Sequence, residues 1–187
     1  EHDSPVEYPC DPALARHTIA FLQESDFDIS VSSKVPADRF EGHAYSYVHK
    51  FCFGSRPIPI VPVFLNAYYP PNQPSPRRCY ALGQAIGGAV AAFPGDARVG
   101  VLASGGLSHF VVDEAFDHQV IDALRRKDAA FFQTAPLHKL MSGSSEIRNW
   151  ICMAGAVEHL SLRHIEYIPA YRTPAGTGTG LCFDDWS

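Results

Sequence analysis

Alternation of strand-like and helix-like segments predicts an α/β fold, with a mixed or mainly parallel sheet flanked by helices in a single domain spanning residues 1–187. Three observations carry that expectation. Two short apolar, β-branched runs, IPIVPVFL at 58–65 and RVGVLA at 98–103, read as strands buried on both faces, although the prolines of the first leave part of it open to an edge position or irregular structure. Segments with helical apolar spacing lie before, between and after them. The length, 187 residues, suits one domain with a sizeable core.

The elements follow in order. Asp11 is a good N-cap with Pro12 at the first helical position. Leu14, His17, Thr18, Phe21 and Leu22 then share one face of a helix over 12–24. FDISV at 27–31 alternates like a short strand. Tyr47, Val48, Phe51 and Cys52 have helical spacing within 43–53, and Gly54 is a natural stop. After the first apolar run comes a proline-rich loop, PPNQPSP at 70–76, from which a helix runs to about Phe93. Pro94, Gly95 and Asp96 make a turn before the second run. A helix over 117–127 ends in Arg125, Arg126 and Lys127, cations suited to a helix C-terminus. Residues 128–140 read as partly helical, and Ser144 or Ser145 as the cap of a helix ending near Val157. A last strand spans 163–171, followed by a Gly/Thr loop at 173–180.

Composition narrows the function. Hydrophobic residues make up 46% and charged residues 19%, a folded rather than a disordered mix. The net charge of −5 argues against a nucleic-acid binder that relies on a basic surface. No apolar run reaches the ~20 residues of a membrane helix, so no membrane partner is expected. Five cysteines without CxxC spacing fit reduced, mostly buried thiols and a cytoplasmic location. The first residue is Glu1 rather than Met, which we read as an N-terminally truncated domain whose sheet edges and apolar surface would be left uncovered.

Three segments are candidates for chemistry. In SGGLSH at 104–109 a strand ends, two glycines permit close backbone approach, and His109 is presented beyond the strand's C-terminal end, where α/β sheets bind ligands. His109 can serve as a general acid/base or a metal ligand, or simply satisfy hydrogen bonds within a tight loop. Ser108 beside it does not make a serine hydrolase, because Phe110 stands where G-x-S-x-G requires its second glycine. In SGSSEIRNW at 142–150, Glu146 is either a helix-capping carboxylate or a carboxylate ligand facing the site. His43, in Gly42-His43-Ala44, opens a helix and either points into a cleft or lies on the surface. The Gly-rich TPAGTGTG lacks both the P-loop lysine and the dinucleotide-binding spacing.

Together, Gly42-His43-Ala44, VPVFLNAYYPPNQPSPRRCYALGQAI at 61–86, LASGGLSHF at 102–110 and SGSSEIRNWICMAGA at 142–156 resemble the class III extradiol ring-cleavage dioxygenases, the family of the protocatechuate 4,5-dioxygenase β subunit. The resemblance covers nearly the whole chain. It implies a non-haem Fe(II) enzyme that opens the ring of a catecholic compound with O₂. It implies His109 as the catalytic acid/base, Glu146 as the carboxylate ligand of the iron, and His43 near substrate. Gly42 and Ala44 depart from the family's commoner Asp-His-Gly around that last histidine. The family's two iron-binding histidines are expected upstream of residue 1. Neither His2, at the chain end, nor His17, within a helix, matches them. A homo-oligomer or a small partner subunit accords with the family. Two other readings stay open: a non-catalytic binding or scaffold member of the fold, and a related zinc or other divalent-metal enzyme.

Overall fold

The computed structural model describes residues 8–34, 42–54, 56 and 58–187. The chain divides into two compact units, Glu1–Phe64 and Leu65–Ser187. His2 lies outside the described residues.

In the first unit, α1 (Pro12–Glu24) forms where the capping pattern places it. The Asp11 carboxylate accepts from the Ala13 and Leu14 amides at 3.0 and 2.9 Å, and Thr18 and Leu22 are buried on the expected face. A five-residue helix, α2 (His43–Tyr47), continues into a π-helical turn over Val48–Cys52. Gly54 ends it in a left-handed conformation, φ +61°. The Tyr45 hydroxyl donates to the Val63 carbonyl at 3.2 Å, tying α2 to the extended run that follows. That run is not a strand buried on both faces; it is the irregular segment that its prolines leave open. Its one bridge pairs Ile60 with Cys10 in parallel, and Val63 and Phe64 are exposed. Residues 27–31 are likewise outside any strand.

The second unit holds the large core. The helices α3 (Pro76–Ala92), α4 (Glu114–Arg126), α5 (Ala129–Thr134) and α6 (Ile147–Ala156) surround it. Tyr80, Val120, Ile121, Leu124, Phe132 and Ile151 are among its buried members. Helix α4 starts three residues earlier than its sequence pattern predicts, because Asp113 caps it by accepting from the Phe116 amide at 3.1 Å. Lys127 closes it at φ +52°, and Asp128 at once caps α5. No helix among the described residues is long and apolar enough to cross a membrane.

The sheet differs from the expected one. β1 (His109–Val111), β2 (Leu162–Tyr171) and β3 (Thr177–Trp186) form a three-stranded sheet in the order β1-β3-β2, antiparallel at both pairings. The class is therefore mixed α/β with a small antiparallel sheet rather than a mainly parallel one. The segment 98–103 forms no strand, and no partner strand pairs with it among the described residues. Val101 and Ala103 pack on the core while Leu102 is 55% exposed, so one face is covered and not two. The Gly/Thr tail is a strand from Thr177 onward, and only its first half is a turn. Its glycines permit close contact: a Cβ on Gly178 would lie 2.1 Å from the Ala170 carbonyl oxygen across the ladder.

Candidate functional site

The site forms where 104–109, the entry to α6 and the first residues of β3 meet. The Leu107 amide donates to the Gly180 carbonyl and the Gly180 amide to the Ser108 carbonyl, both at 2.8 Å, which stitches the SGGLSH turn to β3. From the other side, α6 grips the same turn. Asn149 Nδ2 donates to the Ser104 carbonyl at 2.8 Å and Trp150 Nε1 to the Gly105 carbonyl at 3.0 Å. These bonds satisfy backbone carbonyls of the turn.

This arrangement brings His109 and Glu146 together. His109 Nε2 lies 3.4 Å from Glu146 Oε2, and the two side chains are 21% and 38% exposed. The same carboxylate oxygen accepts from the Gly106 amide at 3.1 Å. Glu146 therefore does not serve as a side-chain cap of its own helix; it faces the turn that carries His109. The three-residue spacing from Glu146 to Asn149 places both side chains against that turn. Gly105, at φ +136°, makes the approach possible, since a Cβ there would sit 2.6 Å from Glu146 Oε2. Gly143 has the same use on the opposite side, where a Cβ would lie 2.5 Å from His109 Cβ.

The imidazole is oriented from both ends. His109 Nδ1 lies 3.0 Å from the Leu107 carbonyl oxygen. A carbonyl can only accept, so Nδ1 carries the proton in the neutral ring and Nε2 presents the lone pair. The His109 amide donates to Ser144 Oγ at 2.9 Å, so Ser144 is a partner of the histidine's backbone rather than the predicted helix cap. Two non-glycine residues with left-handed backbones flank the site, Phe110 at φ +67° and Ser142 at φ +54°. Such conformations are costly and concentrate at functional sites.

Ser108 is turned away from this face. Its hydroxyl donates to Asp117 Oδ2 at 2.6 Å and its amide to Asp117 Oδ1 at 2.9 Å. Tyr167 donates its hydroxyl to the same Oδ2 at 2.7 Å. The hydroxyl is thus committed to a buried carboxylate, which agrees with setting the serine-hydrolase reading aside. Asp117 and Tyr167 carry no local sequence signal; β-sheet register and the position of α4 bring them to Ser108. Arg148, in the same motif as Glu146, is structural. It is buried, and it donates to the carbonyls of Pro74, Ala67 and Leu140 at 3.0, 3.3 and 2.7 Å, anchoring the proline-rich loop. Burial holds its guanidinium below the usual arginine range.

His43 lies in the first unit, in the first turn of α2, exposed and edge-on to Tyr47 with ring centroids 6.4 Å apart. Among the described residues no three His, Cys, Asp or Glu side chains converge to hold a metal ion. Glu146 provides one carboxylate, and a selective transition-metal site needs further nitrogen or oxygen donors. The described residues by themselves therefore do not fit a complete metal centre.

Comparison with known proteins agrees with the motif reading. Residues 2–181 match the family described as the catalytic LigB subunit of aromatic ring-opening dioxygenase. A gallate dioxygenase of Pseudomonas putida is 30% identical over 177 residues, covering 89% of this chain and 50% of that protein. A 2,3-dihydroxyphenylpropionate/2,3-dihydroxicinnamic acid 1,2-dioxygenase of Comamonas testosteroni is 35% identical over 99 residues, covering 52% of this chain and 28% of its own. The corresponding enzyme of Mycobacterium ulcerans is 35% identical over 109 residues, 58% of this chain and 32% of its own. The chain spans half or less of the length of these relatives. With the family match covering all but the chain ends, this chain belongs to the family of catalytic LigB subunits of aromatic ring-opening dioxygenases.

Proposed function

We propose that the protein carrying this chain opens the ring of a catecholic compound with O₂, using Fe(II), and that His109 and Glu146 belong to its active site. The observation that supports this most directly is the meeting of His109 Nε2 and Glu146 Oε2 at 3.4 Å, in a chain of a ring-opening dioxygenase family. When bound, the metal would supply the site that holds catechol and O₂. Glu146 is the carboxylate this chain offers to it, and the remaining donors come from outside the described residues.

His109 handles the proton. The Nδ1–H bond to the Leu107 carbonyl leaves Nε2 as the acceptor for a catechol hydroxyl proton. Once Nε2 is protonated, it faces the Glu146 carboxylate at 3.4 Å. The same Nε2–H can return the proton later in turnover. Positioned acid/base groups of this kind contribute about 10²–10⁴ in rate. His43 assists substrate binding in this reading, and the chain acts within one dioxygenase domain, cytoplasmic and either homo-oligomeric or paired with a small subunit.

The test uses the full-length protein loaded anaerobically with Fe(II) and given catechol, protocatechuate or gallate, with O₂ uptake and the ring-opened product followed. Glu146→Ala should lose bound iron. His109→Ala should keep iron and lose turnover. Wild-type turnover in the His109 variant refutes its role, and an inactive, metal-free full-length protein leaves the binding or scaffold reading in its place.

A further inference from the structure

We propose that Asp117 is a positioning residue of this site, a buried carboxylate that sets the orientation of His109 through Ser108. The inference rests on His109 being the proton-handling group. Asp117 is fully buried, on a helix and nine residues beyond Ser108. It accepts from Ser108 at both backbone and side chain and from Tyr167. A carboxylate is acceptor-only, so all three neighbours must be donors, and one arrangement of the hydroxyl protons satisfies them. The Ser108 hydroxyl, with its proton on Asp117, has lone pairs left, and one of these accepts from the Asp113 amide at 2.9 Å. Every polar atom of Ser108 is thereby fixed, its carbonyl by Gly180.

His109 is the next residue, and its ring is aimed by a bond to the carbonyl of the residue before Ser108. Rotation about the Ser108 backbone would break that bond and move Nε2 relative to Glu146. The left-handed backbone of Phe110 on the other side must also be held against its preference for extended or helical geometry. The surroundings of Asp117 are built for close contact. A Cβ at Gly180 would come 2.0 Å from Asp117 Oδ2, so only glycine lets β3 pass the carboxylate. Burial and the bond to Asp117 push the Tyr167 hydroxyl well above the ordinary tyrosine range, keeping it a donor.

The experiment compares full-length wild type with Asp117→Asn, Ser108→Ala and Tyr167→Phe. Three readouts are taken: a thermal melt, kcat and KM of the Fe(II)-loaded enzyme, and imidazole ¹⁵N NMR of His109 in protein kept free of paramagnetic metal. Asp117→Asn puts an NH₂ donor where three donors already point. It should melt cooperatively, lose kcat by about 10- to 100-fold with KM within about 2-fold, and show a mixture of His109 tautomers. Tyr167→Phe leaves both Ser108 bonds intact and should keep a single tautomer and near-wild-type kcat. If Asp117→Asn does not fold, Ser108→Ala carries the test, with the same tautomer mixing expected.

A folded Asp117 or Ser108 variant whose His109 spectrum is unchanged overturns the proposal, whatever its activity. So does an altered spectrum with wild-type kcat. An altered spectrum in a protein whose wild type is itself inactive supports the positioning role while removing the dioxygenase reading.

Discussion

Replacing Gly83 with alanine sets two effects of opposite sign against each other. Gly83 lies inside α3, where alanine is favoured over glycine by about 0.8–1.0 kcal/mol on helix propensity alone. Against that, the added Cβ would stand 1.8 Å from the Cys152 carbonyl oxygen, 2.8 Å from its carbon and 3.0 Å from the Ala156 amide nitrogen. All three are backbone atoms of α6 or its end, so no rotamer relieves the contact. Ordinary contact begins at 3.4 Å, and the helices must separate to reach it. Separation loosens the core cluster that Cys79 and Tyr80 of α3 share with Ile151 and its neighbours, and a gap of under an ångström already forfeits a quarter to a half of a contact's dispersion energy. Overpacking of this kind costs about 1–3 kcal/mol and sometimes more. A backbone clash this close belongs at the upper end, so the clash wins. The net destabilisation should be about 2 kcal/mol, a drop in the urea midpoint of about 1 M. Because α6 also carries Asn149 and Trp150, which hold the turn before His109, the proposed ring-opening activity should fall with it. Gly100→Ala, with nothing within 4 Å of its Cβ, is the control and should stay within about 0.5 kcal/mol of wild type. A Gly83→Ala protein with a midpoint at or above wild type would show that propensity prevails and that the α3–α6 contact is not rigid.

Two further predictions concern charge and thiols. The Lys139 ammonium, 2.5 Å from Asp113, holds that carboxyl below the usual aspartate range. A depressed pKa in the folded state stabilises above the ordinary aspartate pKa and is lost as pH falls through the folded value. Lys139→Ala should therefore cost about 0.5 kcal/mol at pH 7, modest because both partners are partly exposed, and almost nothing near pH 2; urea midpoints at the two pH values check this. Burial pushes the Cys79 thiol up to about 11 and those of Cys152 and Cys182 up to about 12. Brief alkylation at pH 8 followed by peptide mapping should label the exposed Cys10 and Cys52 and leave the other three until the protein unfolds. Fast labelling of Cys152 would contradict its placement against α3.

Local rules sufficed where the determining atoms are close in sequence. Asp11 before Pro12, Gly54 after Cys52 and Pro76 after Ser75 mark helix ends through bonds spanning a few residues, and each end stands where the pattern places it. The family was legible in the same way: the glycine pair before His109 and the Ser-rich entry to Glu146 are short motifs visible in the sequence, and the family match covers both. Strands were read less well. Apolar runs at 58–65 and 98–103 have strand composition, but a strand exists only with a partner, and partnership is a property of the tertiary structure. Conversely, the Gly/Thr composition of 173–180 predicts a loop, but from Thr177 it is strand, and Gly178 and Gly180 serve close passage against Ala170 and Asp117.

What was legible in the sequence was the family and the residues proposed for its chemistry, because motifs depend on the kind of side chain and on short spacings. The tertiary structure decided how they are held. It placed Glu146 against the Gly106 amide instead of at its own helix end, and aimed the His109 ring by the Leu107 carbonyl. It also set Asp117 behind Ser108, across a helix and two strands. Those contacts span 2 to 50 residues of sequence, and only the packing of α4, α6 and the antiparallel sheet around one core brings their atoms within hydrogen-bond reach.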